Sequence, residues 1–220
     1  ASAPKLSQVA LELGGKSAMV IFEDTDIERA VEATIKGCLT NGGQICTAHT
    51  RLIVQEGIKD QLLENLKNEL EKIPYCMDPI TERERGDRAW ETGMTDVIQP
   101  VVSASQYEKV LGFLNEAKAA GIDIYTGGGV PNPTEVEKSH GYFIQPTILN
   151  NVPRDSDAWQ KEIFGPVLSV RSFSSEAEAI DEANSTAFGL ASTVMSSNPT
   201  KAMRVANRIR AGAVFATSTG

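Results

Sequence analysis

The 220-residue chain reads as an α/β fold, a mostly parallel sheet covered by helices. Three observations predict it. Short apolar runs have the character of buried strands. Segments whose apolar residues recur at helical spacing lie between them. The two kinds of segment alternate, which is the order that builds a parallel sheet with helices on both faces.

The elements follow in turn. Residues 17–22 (SAMVIF) form the first buried strand. Asp26 is the N-cap of the next segment, where Ile27, Ala30, Val31, Thr34 and Ile35 recur at helical spacing. Gly42 and Gly43 stop that helix. Residues 51–55 (RLIVQ) are the second strand, and 57–71 an amphipathic helix with Leu62, Leu63, Leu66 and Leu70 on one face. Between 74 and 100 the pattern dissolves into charge and turn residues (DPITERERGDRAW), predicting an irregular surface excursion. A helix at 103–120, a strand at 123–126, a GGG turn and an extended stretch at 142–149 around Pro146 come next. Strands at 167–173, 191–195 and 213–216 then alternate with helices at 176–187 and 200–210.

Composition removes several function classes. Apolar residues make up 41%, enough for a packed core, and the formal charge is −8. An acidic chain is a poor nucleic-acid binder, because phosphate neutralisation needs clustered Lys and Arg. No apolar run approaches the roughly 20 residues of a membrane span. The three cysteines, Cys38, Cys46 and Cys76, are odd in number and lack CxxC spacing, which argues against a disulfide framework and a zinc site. No metal is expected. Only His49 and His140 are histidines, so a general base is expected to be a carboxylate. The N-terminal residues lack a secretory signal pattern, and the expected compartment is the cytoplasm or an organelle matrix.

Three stretches carry possible chemistry. In LELGGKS (11–17), Glu12 precedes two glycines at the mouth of a strand, where backbone can approach a ligand closely. Taken alone, it is also a turn with a solvated Glu. In GGQICTA (42–48), Cys46 sits in a glycine-rich turn that can present a thiol to a pocket beside main-chain N–H groups. Taken alone, Cys46 is also a buried space-filler. In KEIFGPV (161–167), Glu162 precedes an apolar pair and a Gly-Pro turn, which alone reads as a helix-to-strand connection. His49 is given no catalytic role, Cys38 is read as packing, and Cys76 as an exposed, incidental thiol.

Together the three stretches resemble the aldehyde dehydrogenase superfamily over nearly the whole chain. LELGGKS is similar to its general-base motif, GGQICTA to its nucleophile motif and KEIFGPV to its nicotinamide-ribose motif. Glu12 and Cys46 stand 34 residues apart, as the family order requires. FEDTDIERAV, SQYEKVLGFL, YFIQPTIL and FGLASTV agree as well. Gly37-Cys38, NGGQIC and Trp159 ahead of KEIFGPV look most like the betaine-aldehyde and aminoaldehyde dehydrogenases. Leu39-Thr40 depart from that subgroup, which carries an aromatic pair there.

The resemblance implies NAD(P)-dependent oxidation of an aldehyde to a carboxylic acid. Cys46 would be the nucleophile, passing through a thiohemiacetal and a thioester, and Glu12 the base that activates water. Glu162 would hold the nicotinamide-ribose hydroxyls, Phe164 would pack near the nicotinamide ring, and the Leu13 backbone would line the same site. The base would need a pKa raised by an apolar pocket. The implied partners are a small-molecule aldehyde, NAD or NADP, and either copies of the same chain or the family's cofactor domain. No nucleic-acid or membrane partner is expected. Residues 1–220 correspond to the family's catalytic domain, with the N-terminal cofactor domain and the C-terminal oligomerisation part absent. The rival reading is a dehydrogenase-derived domain kept as a catalytically silent binding or structural subunit of a larger assembly. It draws on residues 81–99, which look longer than the family's usual short DP-containing loop and would offer a docking surface.

Overall fold

The computed structural model describes residues 11–76, 97–136 and 141–217. Seven strands form one sheet among them: β1 (Ala18–Ile21), β2 (Arg51–Gln55), β3 (Asp123–Thr126), β4 (Thr147–Asn150), β5 (Val167–Phe173), β6 (Ala191–Met195) and β7 (Ala213–Thr217). Their order is β3-β4-β5-β2-β1-β6-β7. Every pair is parallel except β3 with β4, which is antiparallel.

The helices follow the predicted alternation. They are α1 (Ile27–Leu39), α2 (Glu56–Leu70), α3 (Ala104–Ala119), the single turns α4 (Pro133–Val136) and α5 (Asp157–Gln160), α6 (Glu176–Ala183) and α7 (Pro199–Ala206). Asp26 caps α1 as expected, its side chain accepting from the Arg29 N–H. Ser103, Ser175 and Asn198 cap α3, α6 and α7 in the same way. Such caps satisfy amide groups that a helix start leaves unpaired. The last two helices are shorter than expected. α6 ends at Asn184, whose side chain bonds Arg208 O and Arg210 N instead of continuing the helix.

Strand side chains alternate between two cores, because the side-chain period of a strand is two residues. Ala18, Val20, Phe22, Ile53 and Val194 pack with Val110, Leu114 and Ala117 of α3, with α6, with α7 and with Trp159. Met19, Ile21, Leu52, Val54 and Met195 pack with α1 and α2 on the opposite face. The sheet is thus covered on both sides.

Cys76 corrects one expectation. It is buried, not exposed. Its N–H donates to Ile98 O at 2.8 Å while Ile98 N–H donates to Pro74 O at 2.8 Å, and this short pairing draws the thiol inward. Residues 77–96 of the excursion read as irregular lie outside the described residues, as do 137–140 and His140 with them. The GGG stretch is a turn, with Gly128 N–H donating to Thr147 Oγ1 at 2.8 Å. Among the described residues no helix is long and apolar enough to cross a membrane.

A cationic knot lies at the amino ends of the central strands. Arg51 is 3% exposed and opens β2. Its guanidinium donates to Lys16 O at 2.8 Å, Glu182 O at 2.9 Å and Ala183 O at 2.8 Å, and it stacks over Trp159. Burial pulls its pKa down to about 10, opposed by the charge of Glu182. Glu182 is in turn held by Arg171 at 2.7 Å. Arg51→Met would take the donor from the buried carbonyls of Lys16 and Ala183, while Glu182 O keeps the Ser185 hydroxyl, a loss of about 3 kcal/mol or more. Arg51→Lys should recover little of it, since one ammonium cannot copy a planar fork. Urea midpoints of the three proteins check this, and an unchanged midpoint in Arg51→Met contradicts it.

Candidate active site

The three sequence stretches meet at the amino ends of β1, β2 and β5, where they are the loops leading into those strands. Parallel strands β5-β2-β1 are neighbours in the sheet, so their incoming loops are neighbours too. The contact is made by backbone. A Cβ on Gly15 would overlap the carbonyl oxygen of Cys46, and one on Gly43 would overlap the carbonyl oxygen of Gly165. A side chain at either position is sterically excluded. Gly15 N–H donates to Glu162 Oε1 at 2.8 Å. A Cβ on Gly14 would stand 2.6 Å from Glu162 Oε2. Ser17 O accepts from Arg51 N–H at 3.2 Å, which closes the seam between the first two loops.

The turn before Cys46 is built from left-handed residues. Asn41 has φ 54°, Gly42 φ 63° and Gly43 φ 73°. Asn41 tolerates this region better than other side chains do, and glycine enters it freely. Cys46 itself is partly exposed. Phe164 also has positive φ, at 60°. That conformation costs a bulky residue on the order of 1–2 kcal/mol. Gln106, in the first turn of α3, donates through Nε2 to Ile163 O at 3.0 Å and Phe164 O at 2.7 Å, holding the loop in place.

Of the sequence-predicted residues, Cys46, Glu162 and the backbone around Gly15 are brought together. Phe164 lies in the same loop as Glu162. Glu12 and Leu13 lie two or three residues ahead of the Gly15 contact and are exposed, Leu13 at 63%. Apolar enclosure of the Glu12 carboxyl is therefore not provided among the described residues.

The other candidates have structural roles. Cys38 is buried and its thiol is pushed up to about 12 by desolvation. His49 is largely enclosed, its Nε2 lies 2.9 Å from Thr193 Oγ1, and burial lowers its pKa to about 4. A neutral imidazole satisfied by a hydroxyl is a packing group. Among the described residues no cluster of three or more His, Cys, Asp or Glu side chains could hold a metal.

Sequence reasoning passed over Lys16, Gln44 and Gln106. Lys16 is 1% exposed, and its Nζ has no hydrogen-bond partner among the described residues. Burial first, and the Arg51 charge second, lower its pKa to about 7, while Glu162 pulls the other way. Only its place inside LELGGKS could have marked it. Gln44 and Gln106 carry no signal of their own, because nothing local predicts where a carboxamide will find distant backbone.

The amino-end placement, the interlocked glycine loops and the carboxylate held by Gly15 N–H define an α/β domain in which three strand-entry loops share one seam. Residues 1–219 match the profile described as the aldehyde dehydrogenase family. The chain belongs to the aldehyde dehydrogenase family. It is 41% identical over 215 residues to the peroxisomal aminoaldehyde dehydrogenase 2 of Pisum sativum, covering 98% of this chain and 39% of that protein. The chloroplastic betaine aldehyde dehydrogenase of Beta vulgaris is 41% identical over 216 residues, with 98% and 40% covered. A crystal structure of betaine aldehyde dehydrogenase from Staphylococcus aureus in complex with NAD+ superposes with a TM-score of 0.84 at 34% identity, covering 97% of this chain and 40% of that one. The chain thus spans about two fifths of the length of the relatives it matches.

Lys16 makes stability depend on pH. The unfolded chain keeps this proton to about 10.5, and the folded chain releases it near 7. Between those values the unfolded state binds more protons, so stability rises with pH; below 7 the cost of the buried charge is fully present. Lys16→Met should remove that slope, a difference on the order of a few kcal/mol over the interval. Urea midpoints at neutral and alkaline pH test it, and parallel slopes for parent and variant contradict it.

Proposed function

We propose that this chain is the catalytic portion of an NAD(P)-dependent aldehyde dehydrogenase, with Cys46 as nucleophile and Glu12 as base. The observation that carries the reading is the seam itself. Gly15 packs on the Cys46 carbonyl and donates to Glu162, so the loops carrying base, nucleophile and cofactor carboxylate are fixed to one another.

Cys46, as thiolate, attacks the aldehyde carbon; a C–S bond forms and the carbonyl oxygen becomes an oxyanion. The Cys46 backbone N–H would hold that oxyanion in part. A dinucleotide, when bound, supplies the acceptor for the hydride lost from this carbon, and the product on sulfur is a thioester. Glu12 then takes a proton from water, which attacks the thioester carbon, and the C–S bond breaks to release acid and thiolate. Glu162 fits a ribose: one oxygen is committed to Gly15 N–H, and the other, beside Gly14, ends a flexible side chain. Phe164 and the Leu13 backbone would flank the nicotinamide. Relatives at 41% identity named for betaine aldehyde and aminoaldehydes support small aldehydes of that class as substrates. Assembly with the family's cofactor domain, or with further copies of the chain, is part of the same reading. So is a compartment without membrane attachment.

An ester tests the thiol half without nucleotide. Cys46 should alkylate with iodoacetamide at least ~100-fold faster than the buried Cys38 and Cys76. Cys46→Ala should abolish p-nitrophenyl acetate hydrolysis, and Glu12→Gln should slow release of the acyl group about 100-fold or more. Aldehyde with NAD or NADP then reads the full reaction. Equal labelling of all three thiols, with ester hydrolysis surviving in Cys46→Ala, would support the silent-subunit reading instead.

A further inference from the structure

The turn that carries Cys46 is closed by its own atoms. Gln44 N–H donates to Asn41 O at 3.1 Å, and Asn41 Nδ2 donates to Gln44 O at 3.2 Å. Gln44 Nε2 adds a bond to Asn41 O at 3.0 Å. Those bonds define the turn's shape. They do not define its direction relative to the rest of the fold, which depends on contacts outside the turn, the packing of Gly43 on Gly165 O among them.

The same carboxamide supplies a second hold, on the side of α3. Gln44 Oε1 accepts from Val102 N–H at 2.8 Å, and Nε2 reaches Pro100 O at 3.4 Å. Val102 immediately precedes Ser103, the N-cap of α3. Gln106, one turn into α3, holds Ile163 O and Phe164 O. Residues 100–106 therefore brace the Cys46 turn and the Glu162–Phe164 loop from one rigid helix start.

We propose that Gln44 is a positioning residue for Cys46. Its carboxamide aims the nucleophile turn by fixing it to residues 100–102, and thereby sets the thiol's direction against the loop that Gln106 holds. Gln44 touches no reacting atom. The inference rests on Cys46 being the nucleophile, as proposed above.

The test separates aim from intrinsic thiol reactivity. In the full chain, Cys46 acylation by p-nitrophenyl acetate is followed by the burst of p-nitrophenol, and alkylation by iodoacetamide is followed in parallel. Gln44→Ala should slow acylation about 10- to 100-fold with little change in KM, because a misaimed group loses rate and not affinity. Alkylation, which needs no set approach, should stay within about 3-fold. Gln44→Glu keeps the acceptor for Val102 N–H and should recover part of the loss, and it serves if the alanine variant fails to fold. Acylation unchanged in both variants overturns the inference. So does a joint fall of acylation and alkylation, which is what mere loosening of the structure produces. Burst acylation that survives in Cys46→Ala instead overturns the nucleophile assignment beneath it.

Discussion

One close approach governs this molecule: the Gly15 backbone lying on the carbonyl of Cys46. It is possible only because residue 15 has no side chain. The same residue spends its N–H on Glu162. One glycine thus joins the loops ahead of β1, β2 and β5, whose strands are adjacent in the sheet. Gly43 repeats the device against Gly165. Backbone contacts of this kind tolerate little rearrangement, since neither partner has a rotamer to change. A site held by them is preorganised by backbone first, with the Gln44 and Gln106 carboxamides bracing the loops from α3.

Beneath the seam lies a layer of buried cations with a different logic. Arg51 is saturated by three backbone carbonyls and the Trp159 face. Lys16, beside it, has no hydrogen-bond partner for its amine among the described residues. The guanidinium's fork makes its burial tolerable, while the ammonium escapes its cost by giving up its proton near neutrality. The Lys16 carbonyl nonetheless completes the Arg51 cage, so this residue serves the fold through its backbone.

Much of the fold was legible in the sequence. The helix and strand order follows from periodicity, and the cap at Asp26 sits where the side-chain chemistry puts it. The burial of Cys76 was not legible, because a two-residue pairing with Ile98 across a long excursion leaves no periodic trace. Neither was the early end of α6, decided by Asn184 finding partners 24 and 26 residues away. For the site, the motifs named Cys46, Glu12 and Glu162, while the parts that hold them in place stayed hidden. Gly15 could be read as a turn residue but not as a contact to a specific carbonyl. Gln44 and Gln106 act at long range in sequence, on backbone atoms that carry no residue identity.

The most direct measurement compares two neighbouring glycines. Alanine at 15 must collide with rigid backbone, whereas alanine at 14 meets only the end of the Glu162 side chain, which can turn away. Iodoacetamide labelling of Cys46 and the urea midpoint should be read on both variants. Gly15→Ala should lose several kcal/mol of stability, or fail to fold, and should lose the preference for Cys46 over the other thiols. Gly14→Ala should keep both close to the parent. If Gly15→Ala were as stable and as selectively labelled as Gly14→Ala, the seam would not be what holds these loops together.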